Sequence, residues 1–473
     1  MSAPSAVPGS TAPAPSRPGA PPLGGGRAWL VWGIGALVYC LTMFHRNSLG
    51  VAALEAQQRF DVGPALLSLL PMLQLLVYVL LQVPAGMVAD RFGPRRMLTF
   101  GLLAGASGVL LFAWAPGIEL AFAARILIGL GDAVVFLSVM LLAAAWFPRR
   151  WYPVMASLLG LVGGLGQVVS AGPLDLLLRG VGWTAAFTAA GLVNVLLGAA
   201  VLTLVRDRPV PVPARAGRRS ALAGLRTAFS TPGPRIGMAV HFMIMSPFTM
   251  LAVLWGYPFL VEGVGLEAAR ASGLLTAVAL IPLLLAPVAG LAIGRWAPAR
   301  SFIALGAGIA LSTGWLLLVS WPGGPPPLPG VVAILVVSAA FAGIAPAVAF
   351  DFARDGVPVE RIGAVSGVVN TSGFIAVTIG TVSAGVLLDV LGGAERDGHA
   401  FQVAFRPITG LVLAATLLLA VLLWRARRAA RASVADHDGA GEAVAEPLVV
   451  AADGHRDQPD QRQVHREQQP ADQ

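Results

Sequence analysis

Long apolar runs, each of membrane-crossing length, recur from residue 28 to residue 424, and they constrain this chain more than anything else in it. They lie near 28–50, 64–88, 97–115, 120–146, 152–177 and 184–205, then near 236–261, 271–294, 301–321, 328–350, 362–391 and 404–424. A helix needs about 20 apolar residues to cross the hydrocarbon core. In lipid every backbone N–H and C=O must be paired inside the protein, so runs of this length predict helices and not strands. The reading is an all-α integral membrane protein with twelve transmembrane helices and the lipid bilayer as its solvent. Composition agrees: 56% hydrophobic, 12% charged, mean hydropathy +0.76.

The net charge of +8 is carried by 32 arginines, with no lysine. In a soluble domain that balance would suggest nucleic acid. Here arginines crowd short segments between apolar runs, so no nucleic-acid partner is expected. Counting alternate sides, 22 fall on the side of both termini and five on the other: Arg59, Arg179, Arg270, Arg396 and Arg406. The asymmetry predicts N and C termini in the cytoplasm, and a multi-pass protein of a bacterial inner (plasma) membrane. Cys40, the single cysteine, excludes an intrachain disulfide. With no Cys-rich ligand set and no G-x-x-x-x-G-K-[ST] loop, neither metal, cofactor nor ATP is expected. Residues 1–26 are rich in Pro, Ala, Gly and Ser, as in a disordered cytoplasmic arm. The polar, Pro-rich, basic stretch 206–235 reads as a cytoplasmic linker between a bundle at 27–205 and another at 236–428. Residues 429–473 read as a disordered cytoplasmic tail. A monomer is expected.

Between the second and third runs stands Gly86-Met-Val-Ala-Asp90-Arg91-Phe-Gly93-Pro-Arg95-Arg96. This G-x-x-x-D-R-x-G-x-R-R string resembles the loop 2–3 signature of major facilitator superfamily transporters. A degenerate copy, Gly290-Leu-Ala-Ile-Gly294-Arg295-Trp-Ala-Pro-Ala-Arg300, follows in the second half. The resemblance implies two pseudo-symmetric six-helix bundles, which rock about a midplane site by alternating access. It makes Gly86, Asp90, Arg91, Gly93, Arg95 and Arg96 a cytoplasmic gate motif. Charge complementarity across the two halves predicts that Asp90, Arg91, Arg95 and Arg96 interact with the cytoplasmic end of the eleventh span and the acidic stretch Asp351, Asp355 and Glu360.

Polar groups at membrane depth are expensive and mark candidate sites. In the first span Tyr39, Thr42 and Arg46 fall at i, i+3 and i+7, one helical face. Arg46 reads either as an anion-binding guanidinium in a central cavity or as a side chain snorkelling to the outer interface. The run Phe44-His45-Arg46-Asn47-Ser48 resembles the first span of anion-transporting branches of the superfamily, where the arginine meets the substrate. That role carries to Arg46 alone; His45 stands where some members have an acid. In the fourth span Arg125-Ile-Leu-Ile-Gly129-Leu-Gly131-Asp132 resembles the motif whose arginine is associated with ion coupling. Arg125 and Asp132 share a face about 10.5 Å apart along the axis. Asp132, taken as the only carboxylate near the midplane, reads as a proton carrier or as part of a packing network. His241 in the seventh span is a second candidate for the proton path or a packing histidine. Gln167 and Ser170 in the fifth span and Asn370 in the eleventh supply neutral hydrogen-bonding groups.

The leading expectation is a secondary transporter, not an enzyme, that moves a small organic or inorganic anion with protons. The alternative is a proton-driven multidrug or metabolite efflux antiporter. Gly172-Pro173 keeps part of the exporters' fifth-span motif, but Val168 and Leu176-Leu177 break it, and Gly182-Trp183 resembles the organic-anion carriers' turn. Gly129-Leu-Gly131-Asp132 also spells the G-x-G-D of intramembrane aspartyl proteases, but that chemistry needs a second aspartate on a neighbouring helix. A receptor that binds without translocating is the remaining class.

Overall fold

The computed structural model describes residues 24–148, 151–207, 218–295, 299–358, 361–391 and 397–442. Apolar runs bounded by glycine and proline become helices at the expected places. They are α1 (Gly26–Asn47), α2 (Leu49–Phe60), α3 (Pro64–Phe92), α4 (Pro94–Trp114), α5 (Ile118–Trp146), α6 (Tyr152–Leu204) and α7 (Arg218–Ser230). Then follow α8 (Pro232–Met250), α9 (Gly256–Pro258), α10 (Ala268–Arg295), α11 (Arg300–Ser320), α12 (Leu328–Phe352), α13 (Ile362–Leu391), α14 (Gly398–Ala404) and α15 (Arg406–Glu442). Among the described residues eleven helical stretches are long and apolar enough to cross a membrane. One of them is two spans. Within α6 only Gly182 leaves helical geometry, at φ 77° and ψ 172°, a conformation that glycine adopts without steric cost. Spans five and six are thus separated by a single residue, and the total among the described residues is twelve.

Three boundaries differ from expectation. The first span does not stop near residue 50. It bends at Ser48, continues through α2, and ends at Asp61, whose left-handed backbone (φ 50°) lets its N–H bond the Gln57 carbonyl. The linker contains a helix of its own, α7, which lies against α13 where Arg361 Nη1 donates to Thr227 Oγ1 at 3.1 Å. The last helix runs past residue 429 to Glu442. Residues Met1–Trp424 form one compact unit, and a second begins at Arg425.

The start of α1 and the ends of α5 and α6 meet at one end of the helices, called proximal here, where the Gly24 N–H donates to the Trp146 carbonyl and Trp146 Nε1 to that of Arg206; the opposite end is distal. One large apolar core joins the two halves distally, with Phe60, Phe112 and Trp183 from the first half and Trp255, Phe259 and Phe405 from the second. A second core, around Trp32, Val139 and Trp146, belongs to the first half alone. The halves meet along α3 against α13, α6 against α10, and α2 against the π-helical turn Leu251–Trp255. That wider turn follows Pro247, which cannot donate a helical hydrogen bond.

Candidate functional site

The middle of the first half holds a connected set of buried polar side chains. Because α2 adds twelve residues beyond α1, Arg46 lies far from either end of its span. It is 9% exposed, so it does not snorkel to the interface. Its Nε lies 3.6 Å from Asp132 Oδ2. Its guanidinium stacks 4.2 Å over the Tyr78 ring of α3 and 5.7 Å from the Phe374 ring of α13. Phe374 is the point where the second half touches this charge.

Glycine sets the spacing behind the pair. A Cβ at Gly129 would sit 2.6 Å from the Gln74 carbonyl oxygen, so only glycine lets α5 approach α3 here. That approach puts Gln74 between two charges. Its Nε2 donates to Asp132 Oδ2 at 2.9 Å, and its Oε1 accepts from Arg125 Nη1 at 3.0 Å. Arg125 Nη1 also points to the His45 carbonyl at 3.4 Å, and the guanidinium lies 4.2 Å over Phe112. His45 Nε2 is 2.7 Å from Asn194 Nδ2 of α6. The arrangement amends the sequence reading of the pair. Arg125 and Asp132 share a face but are two turns apart, too far for a direct bond, so Gln74 bridges them. The cation directly beside Asp132 is Arg46.

Of the other expected residues, Tyr39 is within electrostatic reach of Arg46, Tyr78 and Asp132. The Thr42 hydroxyl is spent on the Val38 carbonyl at 3.1 Å, in its own helix. Gln167 lines a cavity of about 20 Å³ with Asn47, Ser170 and Phe248, room for about one water. Asn370 is one turn before Phe374 on α13. His241 is buried in the second half, its ring 5.5 Å from Phe350, with no hydrogen-bond partner for Nδ1 among the described residues. It stands apart from the charged set.

The fifth span adds a second buried carboxylate to Asp132: Asp175, 4% exposed and nearer the distal end of its span. Arg179 pairs with it at 2.9 Å. Ser272 of α10 donates to Asp175 Oδ2 at 2.7 Å, and Arg179 Nη2 reaches the Tyr257 hydroxyl at 3.5 Å. These contacts cross between the halves towards the distal end. The signal was present in Asp175-Leu-Leu-Leu-Arg179, an i, i+4 ion pair inside an apolar run. Gln74, Tyr78 and Asn194 carried no comparable signal.

At the proximal end the side chains of Gly86, Asp90 and Arg91 lie outside the described residues, as does Glu360. Gly93 has φ 79°, which starts α4 at Pro94. The Arg95 backbone N–H donates to Asp207 at 2.9 Å, and its guanidinium bonds the Leu202 carbonyl. Arg96 is exposed. Asp351 and Asp355, expected to meet this motif, both bind Arg300 instead, the first at 2.5 Å. Among the described residues the ion pairs at this end are those of Arg300 with Asp351 and Asp355, both within the second half.

Residues 35–256 match the sequence profile of the Major Facilitator Superfamily. The chain is 26% identical over 289 residues to an uncharacterised transporter, YybO, of Bacillus subtilis (strain 168), covering 57% of this chain and 64% of that protein. A quinolone resistance transporter of Acinetobacter baumannii is 29% identical over 168 residues, 34% of this chain and 38% of its own. A putative tartrate transporter of Agrobacterium vitis is 26% identical over 184 residues, 37% and 40% respectively. The matches span less than two thirds of each of these relatives. Among solved structures, a bacterial homologue of the human lysosomal transporter Spinster, inward-facing and occupied, superposes with TM-score 0.68 at 14% identity, covering 84% of this chain and 96% of that one. A D-xylose–proton symporter gives 0.65 at 14% identity, covering 83% and 97%. The all-α fold, the motif between spans two and three and the match over residues 35–256 make this chain similar to the major facilitator superfamily of membrane transporters.

Proposed function

We propose that the protein is a proton-coupled secondary transporter that moves a small anion across a bacterial plasma membrane by alternating access, its proximal end in the cytoplasm. The Arg46–Asp132 pair at mid-span carries the reading. When Asp132 is ionised it occupies Arg46 as counter-charge. A proton on Asp132 cancels that attraction and frees the guanidinium for the anionic group of a substrate; losing the proton returns Arg46 to Asp132 and ejects the anion. The two ligands bias the orientations because each changes the same contact. Gln74 keeps Asp132 tied to Arg125, which anchors the carboxylate while its charge changes. The network acts in one polypeptide, so a monomer suffices.

The decisive measurement is transport in proteoliposomes by Asp132→Asn, a permanent mimic of the protonated form. Accumulation driven by a pH gradient should vanish while exchange of substrate for substrate persists. Gradient-driven accumulation at the wild-type level would move coupling elsewhere. A second reading, drug efflux, is favoured by the likeness to the quinolone resistance transporter. It is separated by direction: proton entry would then drive an organic solute out.

A further inference from the structure

The two halves bring unequal chemistry to the midplane. In the first half Arg46, Arg125 and Asp132 are buried at mid-span, whereas the charged residues of the second half's spans, among them Glu262, Arg300, Asp351, Asp389 and Arg406, lie near span ends. In the second half, residues 236–261, 271–294, 301–321, 328–350, 362–388 and 407–424 contain no Asp, Glu, Arg or Lys at all. Its one ionisable group at depth, His241, is packed against Phe350 and Gly373. What faces Arg46 from that side is Phe374, whose ring meets Tyr78 at 5.5 Å and clusters with Val377 and Met245. Arg125 is closed off as a second cation by burial alone, since its Nε and Nη2 have no hydrogen-bond partner among the described residues. It is 1% exposed, and its Nη1 is bonded to Gln74 and the His45 carbonyl.

We infer that the substrate is a monoanion with an apolar, preferably aromatic, body: its single carboxylate-like group binds Arg46, and its body lies on the Phe374–Met245 face. This deepens the anion reading and rests on it. A second ionised carboxylate on the same ligand would be pressed against an apolar surface with no cation to receive it, a burial that proteins avoid. A small anion without a body would leave the Phe374 face unfilled and forgo its apolar and ring contacts.

The test is calorimetric binding to the purified full-length protein with three probes: phenylacetate, acetate and succinate. The expected order places phenylacetate first, with acetate and succinate each weaker by about tenfold or more, an energy difference of about 1.4 kcal/mol. Phe374→Leu should bring phenylacetate towards acetate and leave acetate unchanged. Asn370→Arg, a new cation one turn from Phe374, should raise succinate affinity selectively. Succinate or acetate matching phenylacetate, with all binding lost in Arg46→Gln, would overturn the monoanion class and leave the anion site standing. Phenylacetate binding that survives Arg46→Gln unchanged, or no binding by any probe, would overturn both.

Discussion

The two six-helix halves show how one pseudo-repeated design divides its work. In the first half buried polar groups contact one another across helices: Arg46 with Asp132, Gln74 with Asp132 and Arg125, His45 with Asn194. In the second half the buried polar contacts are between uncharged groups: Ser312 Oγ meets Thr416 Oγ1 at 3.2 Å, Trp315 Nε1 donates to Ser338 Oγ at 3.1 Å, and others reach backbone. Gln402 Nε2 donates to the carbonyls of Leu318, Trp321 and Gly324 at 2.7–2.9 Å, and Trp255 Nε1 donates to the Thr381 carbonyl at 2.8 Å. An uncharged side chain tied to carbonyls gains no new state from a proton. A set of charges sharing a bridging amide has several arrangements, separated by one proton or one ligand. On the proposed mechanism the first half changes state and the second is the wall against which it changes.

The most severe way to break this contrast is Asp132→Ala, which leaves Arg46 buried without its counter-charge. Removal of one partner from a buried pair costs about 3–5 kcal/mol, so thermal unfolding in detergent should fall steeply. Unchanged stability would mean that water, not Asp132, balances Arg46.

Ser272→Ala tests the contact where the halves meet distally. A hydrogen bond to a charged group is worth about 1.5–3 kcal/mol. On a Cys40→Ser background, Thr276→Cys beside this contact should react at least about tenfold faster with an impermeant maleimide from the outer face once Ser272 is lost. An unaltered rate would show that the apolar core alone seals that end.

Arg46→Lys keeps the charge but loses the planar fork and much of the stacking on Tyr78. Apparent affinity for the anion should fall by about tenfold, about 1.4 kcal/mol. Wild-type affinity would remove Arg46 from substrate contact. The smallest effect belongs to the wall. His241→Asn should leave gradient-driven transport within about twofold of wild type, under about 0.5 kcal/mol. A complete loss would make the second half a partner in proton coupling and erase the contrast.

Much of this protein followed from residues in order. Twelve apolar runs in a bilayer have helix as their solution, so span number and type were legible. So was the loop motif, whose Gly93 does take a positive φ ahead of Pro94. Arg46, Arg125 and Asp132 stood out because ionised groups at depth are costly anywhere in a span. Sequence could not show who pairs with whom, because helical periodicity orders residues along one helix and carries nothing about its neighbours. Only packing decided that Gly129 brings α5 onto α3 at Gln74, and that Asp132 faces Arg46 and not Arg125. Packing also paired Asp351 and Asp355 with Arg300 of their own half. The extension of span one through α2 was missed because Glu55, Gln57, Gln58 and Arg59 look like a loop when read alone. They form helix because Ala52, Ala53 and Ala56 bury one face of it against the distal core. That helix sets the depth of Arg46.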